Sequence, residues 1–250
     1  MSADDHAFAA RLAGECGRLL RVLRRDTGFA DPERLRRLGD RRSHEALMEG
    51  FRTHRPEDAV LSEEGADDPK RLVSQRVWIV DPLDGTREFA EEGRTDWAVH
   101  VALWERGELT AGAVAIPARD VVVTTAQPPA PPSGAERLRI AVSRTRPPAL
   151  VHTLTRLLDA ELVPLGSAGV KTSAVVLGEV DAYVHAGGQY EWDSAAPVAV
   201  ALAAGCHASR LDGSPLRYNR EDPWLPDLVV CGARHRDRLL SAIRSVIGES

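Results

Sequence analysis

Apolar positions follow two rhythms, and the rhythm changes along the chain. Near the start Phe8, Leu12, Cys16, Leu19 and Leu23 recur at spacings of four, four, three and four, one face of an amphipathic helix. Asp4 and Asp5 stand where a first helical turn favours negative charge. A second helix is expected to open at Asp40, carry Leu47 and Phe51 on one face and stop before Pro56, with a short strand at 59–61. Val77, Trp78, Ile79 and Val80 form a continuous apolar run too short for a helix. It predicts a buried strand that breaks abruptly at Asp81-Pro82-Leu83-Asp84-Gly85-Thr86. The β-rich stretches 97–104, 109–116 and 121–125 predict a meander of antiparallel strands.

The sharpest break is 127–133, where Pro128, Pro129, Pro131 and Pro132 forbid helix or sheet interior. It divides an N-terminal lobe, 1–126, from a C-terminal lobe, 134–250. Beyond it the pattern alternates: strand 138–143, helix 150–158, strand 161–165, helix 167–178, strand 181–185. A small-residue helix is expected after Trp192-Asp193, with Pro197 tolerated close to its start, then strands at 208–211 and 228–231. Leu239, Leu240, Ile243 and Ile247 predict a closing amphipathic helix. The fold class is α/β, helices and sheets in layers.

Composition narrows the function. The 250 residues are 43% apolar and 28% charged, enough for one large core or two modest ones. A net charge of -5 gives no basic field for a polynucleotide or an anionic membrane. Cys16, Cys206 and Cys231 are widely spaced and lack metal-ligand spacing, so they read as buried thiols. No apolar run approaches the ~20 residues that span a bilayer, and the first residues lack a signal-peptide pattern, so the expected location is the cytoplasm.

Acidic residues gather at element ends: Glu63 and Glu64 after one strand, Asp81 and Asp84 after the next, and Asp193 before a helix. Pro82 and Gly85 make a turn that aims two carboxylates at one point. Converging carboxylates repel unless a cation sits between them, and hard divalent ions, Mg2+ first, suit oxygen ligands. Gly85 and Thr86 offer backbone N–H groups to an anion such as phosphate, which suggests phosphoester hydrolysis.

These strings, Leu61-Ser62-Glu63-Glu64, Trp78 through Phe89, and Trp192-Asp193-Ser194-Ala195-Ala196, resemble the inositol monophosphatase superfamily. The Leu-Ser-Glu-Glu form and the Arg87-Glu88-Phe89 after Gly-Thr are similar to its CysQ branch of 3'(2'),5'-bisphosphate nucleotidases. The resemblance implies a fructose-1,6-bisphosphatase-like sugar-phosphatase fold in alternating αβαβα layers. It also implies that Glu63, Asp81 and the Leu83 carbonyl hold one Mg2+, and that Asp81, Asp84 and Asp193 hold a second. Asp40, 23 residues before Glu63, matches the family's acidic residue that positions a third ion or the attacking water with Thr86; Arg37 stands where the family usually has threonine. From the residues alone, Asp40 equally serves as a helix N-cap.

For substrate, the resemblance implies contacts from Leu83, Asp84, Gly85, Thr86 and Asp193 to the reacting phosphate. Arg144 or Arg146 would meet a distal phosphate, and Ser167, Lys171 and His185 the nucleotide. The expected reaction is Mg2+-dependent removal of the 3'-phosphate of 3'-phosphoadenosine 5'-phosphate, linked to sulfate assimilation, inhibited by Li+, with a homodimer expected by family analogy. Alternatives are an inositol-monophosphate or fructose-1,6-bisphosphate phosphatase, an enzyme promiscuous for all three substrates, or a non-catalytic nucleotide sensor. His44, His54, His100 and His152 lack metal-ligand spacing and read as structural or exposed. Trp78, Trp97 and Trp104 read as core, and Trp192 as packing that fixes the helix presenting Asp193.

Overall fold

The first helix, α1 (Ala3–Thr27), buries the expected stripe: Phe8, Leu12 and Cys16 are inaccessible, with Leu19 and Leu23 at its margin. The computed structural model describes residues 3–130 and 137–248, so part of the proline-rich boundary at 127–133 lies outside the described residues. Helix α2 (Pro32–His54) starts earlier than its apolar spacing suggests. Asp31 caps it by accepting from the Arg34 N–H at 2.9 Å, and Pro32 occupies the first turn, where no N–H is needed. Asp40 is therefore inside the helix, and the N-cap reading for it is corrected. The early turns bury only Leu35 and Gly39 beneath a run of arginines, which hides the periodicity.

The N-terminal half then lays down β1 (Ala59–Ser62), β2 (Arg76–Asp84), the short helix α3 (Thr86–Phe89), β3 (Ala98–Glu105), β4 (Glu108–Ile116) and β5 (Val121–Thr124). These strands lie in sequence order in one sheet, β1 parallel to β2 and the rest antiparallel. In β2 the residues alternate between two buried faces, Trp78 and Val80 toward α1 and α2, Val77 and Ile79 toward the other side. Burial on both faces is why the strand reads as a continuous apolar run.

The second half supplies β6 (Arg139–Ser143), α4 (Ala149–Leu158), β7 (Glu161–Leu165), α5 (Ala168–Val176), β8 (Ala182–Tyr190), α6 (Glu191–Ala203), β9 (Cys206–Ser209), β10 (Trp224–Gly232) and α7 (Arg236–Gly248). Its sheet has the order β7-β6-β8-β10-β9, parallel through β8 and antiparallel at β10. Four boundaries differ from expectation. β8 runs past His185 to Tyr190; β9 sits earlier than 208–211; and β10 begins at Trp224, with Pro226 at a shift in its ladder. α6 opens at Glu191, so Asp193 lies within its first turn and Pro197 is the seventh residue, inside the helix rather than near its start. Proline there leaves the Asp193 carbonyl without its usual N–H donor.

Three apolar clusters define the layers. One joins α1 and α2 to the first sheet, the second joins that sheet to α5, α6 and the second sheet, and the third joins the second sheet to α4 and α7. The order is αβαβα, with residues of both halves in the middle core. All three cysteines are buried and unpaired, and no helix among the described residues is long and apolar enough to cross a membrane.

Candidate active site

The end of β2 carries the first acidic group. Pairing with β3 shifts between Asp81 and Asp84, and the Leu83 N–H turns back to donate to Asp81 Oδ1 at 2.9 Å. Gly85 follows at φ +84°, and a Cβ there would lie 3.2 Å from the Asp96 carbonyl, so the turn into α3 takes glycine for both reasons. The Glu63 N–H donates to the Val80 carbonyl at 3.4 Å, which brings the end of β1 beside Asp81. Thr86 Oγ1 lies 3.1 Å from the Leu83 carbonyl and 3.4 Å from Asp40 Oδ1, so α2 delivers Asp40 to the same turn.

The C-terminal half closes the site from above. Ser167 caps α5, accepting from the Val170 N–H, and its hydroxyl donates to Asp84 Oδ2 at 2.5 Å. The Gly169 N–H donates to the same oxygen at 2.7 Å, and His100 Nε2 stands 3.2 Å away. His100 Nδ1 is 3.0 Å from the Trp192 carbonyl, so that nitrogen carries a proton, and the ring ties Asp84 to the start of α6. Asp193 Oδ2 accepts from the Tyr190 N–H at 2.7 Å. Lys171, buried below, donates to the carbonyls of Gly166 and Ser167 and lies 5.2 Å over the Tyr183 ring.

Protonation states follow from this crowding. Desolvation pushes Asp81 well above the usual carboxylate range, reinforced by Glu63, Asp84 and Asp193. Desolvation at the cleft wall raises Glu63 to about 7, against its hydrogen bond with Asp81, and nearby Asp193, Asp84 and Glu64 add to the rise. Burial and Asp84 raise Asp193 to about 6; burial and Glu64 raise Asp40 to about 6. Asp84 is the exception: burial would raise it, but His100, Lys171 and Ser167 hold it at about 2. His100 itself is raised because Asp84 outweighs its burial, and burial lowers Lys171.

Such a set is short of positive charge. Asp81, Asp84 and His100 offer ligand atoms within 4.8 Å of one another, all buried, and Glu63 and Asp193 crowd the same point. Oxygen-rich donors that hold protons for want of a counter-charge fit a hard divalent cation such as Mg2+. The residues that would hold it are Glu63, Asp81, Asp84, Asp193 and the Leu83 carbonyl.

A cleft of about 580 Å³ opens over this cluster, lined among others by Thr86, Arg146, Lys171, His185, Tyr190 and Trp224. Its substrate-side residues differ in how much they have left to offer. Arg144 is committed to Glu88 at 2.9 Å and Glu91 at 2.7 Å, whereas the exposed Arg146 guanidinium has no ion pair among the described residues. The Ser167 hydroxyl is engaged with Asp84 and Val170. His185 donates from Nε2 to the Gly188 carbonyl at 2.8 Å and accepts from Tyr183 at Nδ1, which leaves only its ring face for the cleft. A cavity of about 630 Å³ beside α1 is lined by Arg18, Arg21, Arg24 and Arg94 but no carboxylate. Arg24 there is spent on the carbonyls of Phe89, Arg94, Glu88 and Glu91, so the chemistry belongs to the acidic cleft.

Sequence reasoning missed His100, Tyr190 and Trp224. His100 pairs across the ladder with Asp81, and Tyr190 with Trp224, but neither register is legible before the strands are aligned.

The inositol monophosphatase family model matches residues 31–247. A relative from Mycobacterium leprae, a 3'-phosphoadenosine 5'-phosphate phosphatase, is 54% identical over 97% of this chain and 94% of its own. Among solved structures, CysQ from Bacteroides thetaiotaomicron superposes with a TM-score of 0.78 at 25% identity, covering 92% of this chain and 98% of its own. Inositol monophosphatase-II from Staphylococcus aureus superposes at 0.81 with 22% identity, over 98% and 97% of the two chains.

Proposed function

The chain belongs to the inositol monophosphatase family, and from that premise we propose that it is a Mg2+-dependent phosphatase that converts 3'-phosphoadenosine 5'-phosphate to AMP and phosphate. The observation that carries the substrate is the 54% identity, across nearly the whole length of both chains, to a relative of that name. Glu63, Asp84, Thr86 and Asp193 line one cleft, with Asp81 buried against Asp84, and that convergence supports the chemistry.

Bound cations at such a site stabilise charge on phosphorus oxygens and acidify water. The protein's own groups then divide the work. Gly85 and Thr86 open α3, where first-turn N–H groups lack intrahelical acceptors and meet the reacting phosphate. Thr86 Oγ1 and Asp40 orient the attacking water: the hydroxyl accepts its proton as it passes its own to Asp40 Oδ1, 3.4 Å away. A carboxyl raised to about 6 is matched to that task near neutral pH. The new bond to phosphorus forms in line with the breaking bond to the ribose 3'-oxygen, which leaves with a proton from solvent.

Asp84, held ionised by Ser167, Gly169 and His100, is a fixed anchor for the cation. Arg146, rather than the committed Arg144, is the group placed to meet the 5'-phosphate, and Lys171 adds positive charge beneath the cleft. Li+ inhibits by competing for the same carboxylates.

Asp84→Asn tests the reading against the sensor alternative. Loss of phosphate release with the nucleotide still bound identifies a catalyst; unchanged turnover would overturn the ligand assignment.

A further inference from the structure

At the rim of the active-site cleft, next to Asp193, three aromatic rings meet. Tyr190 and Trp224 are cross-strand partners on β8 and β10, and Trp192 lies in the first turn of α6. Tyr190 and Trp192 stack with centroids 4.7 Å apart and planes 11° from parallel; Trp224 stands against Tyr190 at 5.4 Å and 79°. Together they make two walls at a right angle. Trp192 is half-buried against the central core, but core packing does not account for Tyr190 and Trp224, each 43% exposed while most aromatic side chains among the described residues are buried.

The local backbone is shaped to admit this corner. Gly188 lies at φ +87°, and a Cβ there would fall 1.7 Å from Trp224 Cζ2, so the indole rests directly on the glycine backbone. The Tyr190 N–H donates to Asp193 Oδ2, which ties the tyrosine to a residue of the phosphate-cleaving centre. The rings line the same cleft as Glu63, Asp84 and Asp193, so a base lying on them belongs to a substrate whose phosphate meets the carboxylates.

We infer that Tyr190, Trp192 and Trp224 form the platform on which the purine of the substrate stacks, which makes them the specificity-determining residues of this site. The inference rests on the nucleotidase reading above. A planar, polarisable ring gains from two aromatic walls, whereas a polyol phosphate such as inositol phosphate has no face to offer them. The metal cage would bind either kind of phosphate alike, so discrimination belongs to the rim. Stacking reads a π-face rather than an edge pattern, so adenine and guanine nucleotides are accepted alike by this element.

The test compares phosphate release from 3'-phosphoadenosine 5'-phosphate and from methyl riboside 3,5-bisphosphate, the same phosphates without a base, at saturating Mg2+. Trp224→Ala and Tyr190→Ala each lower kcat/KM for the nucleotide by about tenfold or more and leave the baseless substrate within about twofold, while Trp224→Phe retains the nucleotide preference. Tryptophan fluorescence of the wild-type protein supplies a readout that needs no variant: AMP quenches it and ribose 5-phosphate does not. Equal loss on both substrates together with no AMP-specific quench overturns the platform. A wild-type protein that releases phosphate from the baseless compound but not from the nucleotide overturns the functional reading itself.

Discussion

Asp84 shows how much a single carboxylate here depends on its neighbours. One oxygen accepts from the Ser167 hydroxyl and the Gly169 N–H with His100 at its side, and these hold it ionised at about 2 where burial alone would neutralise it. Ser167→Ala removes the shortest of these contacts, so it weakens Mg2+ binding; isothermal titration should show a loss of affinity of about tenfold or more, ~1.5 kcal/mol, as expected for a hydrogen bond to a charged group. Thr86→Val isolates the water-orienting step, with kcat falling by about 10²–10⁴-fold and KM little changed.

Glu63, raised to about 7, sets a pH dependence of opposite sign to a salt-bridged acid. Between the ordinary carboxylate value near ~4.3 and about 7, the folded, metal-free protein binds a proton that the unfolded chain does not. Its contribution to stability is therefore present at low pH and lost as pH rises to 7, and cation binding, which needs the carboxylate, strengthens over the same range. Thermal melts of the metal-free protein should show the wild-type midpoint falling relative to that of Glu63→Gln from pH 5 to pH 8, while added Mg2+ raises the wild-type midpoint most at pH 8. A pH-independent difference would remove Glu63 from the cluster.

Elements were legible where one segment carried its own signal. β2 and the turn after it stand out because a strand buried on both faces ends in a proline and a glycine, and α1 because its stripe is clean. The start of α2 was legible too, through the cap Asp31-Pro32-Glu33, but the apolar spacing that begins at Leu47 drew the boundary to Asp40. Asp31→Ala should cost about 1 kcal/mol of stability without altering kcat, since the cap lies nine residues before the residue that touches Thr86. The early start of β10 was hidden by Pro226, which a ladder shift accommodates. Gly169 reads as one small residue among many, yet a Cβ there would come within 1.9 Å of His100 Nε2, so Gly169→Ala should displace α5 or the histidine and lower both midpoint temperature and turnover.

For the whole molecule, the order αβαβα brings carboxylates from both halves to one cleft: Glu63 and Asp84 from the first half and Asp193 from the second line it, while Asp81 is buried against Asp84 and Asp40 reaches Thr86. The acidic residues could be read from contiguous motifs, whereas the residues that hold and surround them could not. His100 reaches Asp84 only through the β2–β3 register, and Trp224 meets Tyr190 only through that of β8 and β10. Non-local pairing is invisible to local periodicity, so the buried His100 reads as structural and Trp224 carries no signal of its own. In the proposed function, phosphate chemistry is built into the strand ends and substrate choice into contacts made by tertiary packing.

The most direct measurement of what this protein hydrolyses is phosphate release at saturating Mg2+, comparing kcat/KM for 3'-phosphoadenosine 5'-phosphate, inositol 1-phosphate and fructose 1,6-bisphosphate. The expected result is a preference of about a hundredfold or more for the nucleotide, ~2.7 kcal/mol of differential transition-state binding. Equal rates on all three, or a preference for the inositol or fructose ester, would contradict it.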